Sequence, residues 1–564
     1  MSISSPLRSQ RGLDLTHNLL LPTLLFAALG AMSWAVRGCA GFGGSAGCIF
    51  AGVLWGVAWW FVARDGTSAQ DEGDEWAWPA RRYTSGWIVL ALTIGIGISG
   101  ARGWMQWPSF FEGKLQTDYA KGQFVPISRA YGFLWLFIAG IPWAGIGACL
   151  LAWCSPLRTT RAWHWALRIG CGLGAAALAV YLYQRYPQHF LPLYEEHRDR
   201  YLDLDNNPNL RRLINDSRSA IMHLGLFLGF LIYEVVRRDW KNVLLITTVG
   251  VLNGAGWAAL QNWKWHDDIW PGVTFNWWRC WESSGGISIG IAYGVAYFLV
   301  NRPMRAAERA MIRARRSLSS PSIEWLVVYL GLIALLVLPV WEEAHVSIQA
   351  FLAVVALFGI VYCLRTRRHS SQLEPVSKPG LGATAGLPSS AKFDTALLDE
   401  LAVAPDAGSM RVLKLLLGTA SPRANGDPNL ERFGLGLGLL VGLGFSVRNG
   451  LKGFFRMHYG NEEYYATLLW QIVGPALVVI LLGLCAWIFW RPLPGNFTGD
   501  AFPRAAAITW LALVWQNVLG QLVTGPLSEW PEFAFAAYYV LLFVITAVIV
   551  IHFSDRVRCL PMGR

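Results

Sequence analysis

Unbroken apolar runs of about 18 to 24 residues recur from near the N-terminus to the end of the sequence, and nothing else constrains the fold as strongly. At 1.5 Å per residue, a helix of that length crosses the roughly 30 Å hydrocarbon core of a bilayer. The runs are continuous rather than alternating, so barrel strands fit poorly. Composition agrees: 54% of the 564 residues are hydrophobic and 15% charged, too little polar surface for a soluble multidomain chain of this length. The expected fold is all-α, a polytopic integral membrane helical bundle. Its fourteen transmembrane helices are placed at about 18–36, 42–63, 85–102, 130–154, 163–184, 219–237, 242–261, 284–301, 323–341, 347–364, 432–450, 466–490, 503–524 and 532–553.

The spans divide the chain into an N-terminal bundle (1–184), an extracytoplasmic loop (185–218), and a central bundle (219–364) that carries a Trp-rich outer loop (262–283). A linker (365–431) and a C-terminal bundle (432–564) follow. The net charge of +11 does not point to nucleic acid. Its Lys and Arg residues sit in short connections: Arg64, Arg81 and Arg82; Arg158 and Arg161; Arg237, Arg238 and Lys241; Arg302 to Arg316; Arg491 and Arg504. In the alternating count these fall on one side, which the positive-inside bias makes cytoplasmic. Both termini are then expected inside, in a bacterial inner (plasma) membrane. The partner implied is the lipid bilayer, with a small polar solute or a lipid-linked substrate.

Nine cysteines make no CxxC pair, and most, such as Cys149, Cys171, Cys363 and Cys485, lie within apolar runs as small hydrophobes. A lipoprotein signal ending at Cys39 is excluded by Arg37, where a small residue is wanted, and by the spans downstream. The linker is rich in Ser, Pro and Gly and too poor in apolar residues to pack. In the outer loop, Asp203, Asp205, Asn207 and Asn209 alternate like a calcium loop, but Pro208 replaces the Gly and Ile214 stands where the final Glu belongs. A solvated cap is expected there, and no metal or cofactor.

From Gly256 to Gly286 seven tryptophans (Trp257, Trp263, Trp265, Trp270, Trp277, Trp278, Trp281) alternate with hydrogen-bonding and charged residues. Aromatic rings gather at membrane–water boundaries, where an interfacial belt is the plain reading. The polar groups between them suit a binding surface better. The expected substrate-binding residues here are Asn262, Trp265, Asn276 and Arg279. If the protein is an enzyme, Glu282, Asp267 and Asp268 are the candidate catalytic acids or bases. Glu282 is placed at the mouth of the next helix, with Arg279 three residues before it.

Arg37, Arg102 and Arg448 each end an outward-running span just before a Gly-containing turn. That position suits either a helix C-terminal cap or a shared outward-facing anion site. Glu342, Glu343 and His345 read as a solvated turn, and Glu234 with Arg237 and Arg238 as a snorkelling group. Trp34-Ala35 followed by Arg37 and Cys39 is echoed by Trp257-Ala258 followed by Arg279 and Cys280. Gly97-Ile98-Ser99 before Arg102 is echoed by Gly444-Phe445-Ser446 before Arg448. These echoes suggest a divergent internal repeat. The functional expectation is a transporter or permease for a polar organic solute, a sugar or organic anion. The alternative is a membrane-embedded transferase acting on a lipid-linked, glycosyl-type substrate at the outer leaflet.

Overall fold

The structure, a computed structural model, describes residues 15–39, 44–64, 81–85, 87–99, 110–118, 121–154, 162–273, 276–302, 510–511, 513–515, 517–518 and 530–556. The expected spans at 323–341, 347–364, 432–450 and 466–490 and the linker at 365–431 lie outside these residues, as do most of the span at 503–524 and Arg102, Glu342, Glu343, His345 and Arg448.

Among the described residues, apolar sequence becomes helix almost throughout. In chain order the long helices are α1 (Leu21–Cys39, entered through a π turn at Thr16–Leu20), α2 (Gly44–Arg64), α3 (Trp87–Ser99), α4 (Ala130–Trp153) and α5 (Ala162–Arg185). The short α6 (Arg198–Leu202) leads into α7 (Pro208–Val236), α8 (Trp240–Ala259), the one-turn α9 (His266–Ile269), α10 (Trp277–Val300) and α11 (Glu532–Arg556). Among the described residues 7 helices are long and apolar enough to cross a membrane, and two shorter apolar helices, Gly47–Ala63 and Trp87–Ser99, accompany them.

One small sheet interrupts this pattern: β1 (Lys114–Asp118) pairs antiparallel with β2 (Gln123–Pro126), with Leu115 opposite Val125. Residues 103–129 read only as a connection, so this hairpin was not expected.

Two boundaries differ from the sequence reading, each for a local reason. The helix expected at 219–237 begins at Pro208, with Asn207 at its cap, because proline at a first helical position loses no useful donor. Its 29 residues span about 43 Å, so the first turns stand beyond the apolar core and take up about a third of the expected loop. The helix expected at 284–301 begins at Trp277, where the side chain of Asn276 accepts the Arg279 backbone N–H at 3.0 Å. Glu282 therefore sits in the second turn, not at the mouth.

The helices close into a ring: α1 packs on α2, α2 on α3, α3 on α4, α4 on α8, α8 on α10, and α10 returns to α1. The ring draws on both the 1–184 and the 219–364 stretches. Outside it, α7 packs on α4 with α5 behind, and α11 lies against α1 and α2. Small residues make these contacts close. At the α1–α10 crossing Gly30 faces Gly286, and a Cβ on either would overlap the other's carbonyl oxygen.

The ring has two unlike ends. At one, Arg81 and Arg82 meet the start of α8 and the end of α10: Arg82 Nη2 donates to Asp239 Oδ1 at 2.8 Å, and Arg81 Nη1 to the Asn301 carbonyl at 2.8 Å. Asn242 Oδ1 accepts from Tyr83 Oη at 2.6 Å, and Asn242 Nδ2 donates to Glu234 Oε2 at 2.9 Å. Burial pushes the Tyr83 phenol well above its usual range, against the pull of Arg82. Glu234 is not a snorkelling group. It is fully buried and accepts from Arg168 Nε at 2.7 Å, because α5 brings that arginine against the last turn of α7. The Trp-rich turns and the hairpin occupy the other end.

Candidate functional site

At the Trp-rich end, the one-turn helices after α8 fold over the ring and hand the chain to α10. Trp265 fixes this fold-over: its indole N–H donates to the Phe111 carbonyl at 3.2 Å, and the Arg129 guanidinium lies 5.5 Å from its ring. Trp265 is thus a bridge to the hairpin side of the molecule. Asn262, Asp267 and Asp268 belong to the same turns, and their side chains lie outside the described residues. Ile269, Trp270 and Val273 follow with about half of their surfaces exposed.

Arg279 and Glu282 are both withdrawn from solvent. Arg279 is buried, pairs with Glu532 on α11 at 2.6 Å, and lies 4.6 Å from the ring of Phe535. Glu282, three residues on, is 1% exposed, an acid within a membrane-length helix. Ser283 shares a hydrogen bond with Tyr538 Oη at 3.2 Å, a second polar tie to α11. Deeper, Ser288 on α10 and Asn253 on α8 are buried against each other, with Ser288 Oγ donating to Asn253 Oδ1 at 3.5 Å. Of the three outer arginines, Arg37 falls in the last turn of α1 with its side chain outside the described residues, so the shared anion site has no described geometry.

The sequence does not announce what lies beneath these groups. Trp278 meets Trp281 at 5.1 Å between ring centroids, Trp281 meets Trp257 at 5.8 Å, and Trp257 meets Trp34 at 6.4 Å. Trp34 meets Trp55 at 5.8 Å, Trp55 meets Tyr293 at 6.2 Å, Tyr293 meets Trp59 at 6.4 Å, and Trp59 meets Tyr297 at 5.1 Å. The Arg81 guanidinium stands 5.5 Å from the Tyr297 ring. An aromatic file thus runs inside the ring from the Trp-rich end to the arginine end.

Four of its members are held by main-chain carbonyls. Trp55 Nε1 donates to Phe26 at 2.9 Å, Trp59 Nε1 to Tyr83 at 3.0 Å, Tyr293 Oη to Ala144 at 2.8 Å and Tyr297 Oη to Val62 at 3.0 Å.

The length and composition of seven described helices are those of a multi-pass helical membrane protein. No family model matches it, and no curated protein or solved structure does either.

Proposed function

We propose that the protein is a transporter or permease for a polar organic solute, a sugar or an organic anion, which crosses through the interior of the helix ring. The aromatic file carries this reading. Flat apolar faces with polar edges suit a sugar ring, and Glu282, Ser283, Asn253 and Ser288 lie on the helices that hold the file. Polar and ionisable groups turned into a bundle interior are costly in a membrane and accompany solute pathways. Passage would exchange the indole and phenol bonds to carbonyls for bonds to solute. The arginine end would face the cytoplasm and the Trp-rich end the outside.

The test is uptake of labelled sugars and sugar acids into proteoliposomes holding the intact protein. Saturable uptake that falls at least tenfold in Glu282→Gln, with unchanged expression, is the expected result. No uptake of any member of the panel by the wild type counts against the reading.

A second reading, transfer to or from a lipid-linked substrate at the outer leaflet, rests on the exposed apolar lip of Ile269, Trp270 and Val273 that follows Asp267 and Asp268. Such a lip could hold a lipid chain beside an acid. Transfer of label from a lipid-linked sugar, lost in Asp267→Asn or Asp268→Asn, would favour it.

A further inference from the structure

Away from the ring's interior, at the arginine end, α4, α5 and α7 close around one guanidinium. Arg168 is 3% exposed, and one edge of its fork is taken by Glu234. Its Cζ lies 5.3 Å from the Trp153 ring, 5.2 Å from Trp165 and 5.5 Å from Tyr233, so aromatic faces wall it on several sides. Trp153 and Trp165 meet edge to face at 5.4 Å. Within this cage Arg168 Nη1, Trp153 Nε1 and Trp165 Nε1 are buried and have no acceptor among the described residues.

These atoms can only donate. Buried donors are nearly always matched, so three unmatched donors on side chains packed together, one of them on a cation, mark a place where an acceptor belongs. The local charge also suits an anion. Glu234 is the carboxylate against Arg168, and it is shared with Asn242. Beyond it, Arg237 stands 5.7 Å from the Tyr233 ring, and Arg238 and Lys241 follow in the sequence, while Arg82 is offset by Asp239. The surrounding helix ends are apolar and exposed at Trp163, Leu167, Val236 and Trp240. Basic donors between helix ends, beside an apolar outer face, are the features by which a bundle holds an acidic lipid headgroup.

We propose that Arg168, Trp153 and Trp165 form a binding site for a phosphate-type oxyanion, carried by an acidic phospholipid headgroup or by the free ion. The anion's oxygens accept from Arg168 Nη1 and the indole N–H groups, and the guanidinium keeps its bond to Glu234. A lipid in this site would seal the junction of α4, α5 and α7. The site is separate from the proposed solute path, and its test needs no transport assay.

The experiment follows thermal unfolding of the full chain in detergent while short-chain phosphatidylglycerol, inorganic phosphate or a short-chain diacylglycerol without phosphate is added. A saturable rise in midpoint with phosphatidylglycerol, and none with diacylglycerol, is expected. The same rise with inorganic phosphate would make the ligand the free ion, and a rise with the lipid alone would make it the headgroup. Trp153→Phe/Trp165→Phe keeps the aromatic walls but removes both indole donors, and should need about tenfold or more ligand for half the shift. If that double variant does not fold, Trp165→Phe alone should need severalfold more. The proposal is overturned if neither phosphate ligand shifts the wild type, or if the folded variant titrates like the wild type.

Discussion

Arg279 and Glu532 are separated by 253 positions in sequence and joined by an ion pair of 2.6 Å that fastens the start of α11 to the start of α10, three residues before Glu282. The arginine side chain is 2% exposed and the carboxylate 19%, so the pair is screened from water mainly on the α10 side. Removing the carboxylate with Glu532→Ala should cost up to about 3 kcal/mol, at or just below the usual cost of breaking a fully buried pair. Arg279→Lys keeps the charge but gives up the planar face over Phe535, and should cost less. Thermal unfolding in detergent checks the ranking, and equal stability of wild type and Glu532→Ala would show that the pair holds nothing.

The buried pair of Arg168 and Glu234 should behave asymmetrically. Glu234→Ala strands a guanidinium among aromatic rings and should destabilise by about 3–5 kcal/mol, enough to lower expression. Arg168→Met/Glu234→Met removes both charges together and should recover most of that loss, apart from the bond that Asn242 gives up. A double variant as unstable as the single one would mean that the charges themselves are required.

Just past the end of α4, burial pushes the Cys154 thiol up to about 12, with Arg168 pulling the other way. A raised thiol pKa keeps the neutral form, so at pH 8 very little of the reactive thiolate is present. Cys154 should resist a maleimide at pH 8 in folded protein and react within minutes once the chain is denatured. The fraction labelled, read by mass spectrometry of the peptide containing it, tests this. Rapid labelling in the folded state would mean that the end of α4 opens readily.

The orientation is testable at positions on opposite ends of the bundle. Arg238→Cys, at the left-handed turn between α7 and α8, should be modified only from inside, and Val273→Cys, beyond α9, only from outside. A membrane-impermeant thiol reagent applied to intact cells separates these outcomes, and the reverse pattern inverts the topology.

Apolar run length carried most of the fold into the sequence reading. Trp240–Ala259 lies within two residues of its expected position because the run and its ends coincide. Length says nothing about polar residues that continue a helix, so the first turns of α7 and α10 were read as loop. Local caps decided both. The candidate site was legible only in part. Asn276, Arg279 and Glu282 lie at the Trp-rich end, where proximity in sequence pointed to a surface loop, whereas helix geometry buries Arg279 against α11 and Glu282 within the bundle. The aromatic file had a faint signal in Trp55 and Trp59, and in Tyr293 and Tyr297, each four residues apart and so on one helix face. Their meeting depends on which helices neighbour one another, a property of tertiary packing. The same holds for Arg168, whose partner lies 66 residues away.

Passage of solute through the ring is tested most directly by the accessibility of its interior. Asn253 on α8 and Ser288 on α10 are buried between two helices of the ring. Cysteine placed at each, in a background whose native thiol reactivity has been measured, should react with a small polar thiol reagent supplied from either side of a sealed membrane. A transported sugar or organic anion should slow that reaction. Complete protection of both positions from both sides, in folded protein and with any solute present, would contradict a path through the ring.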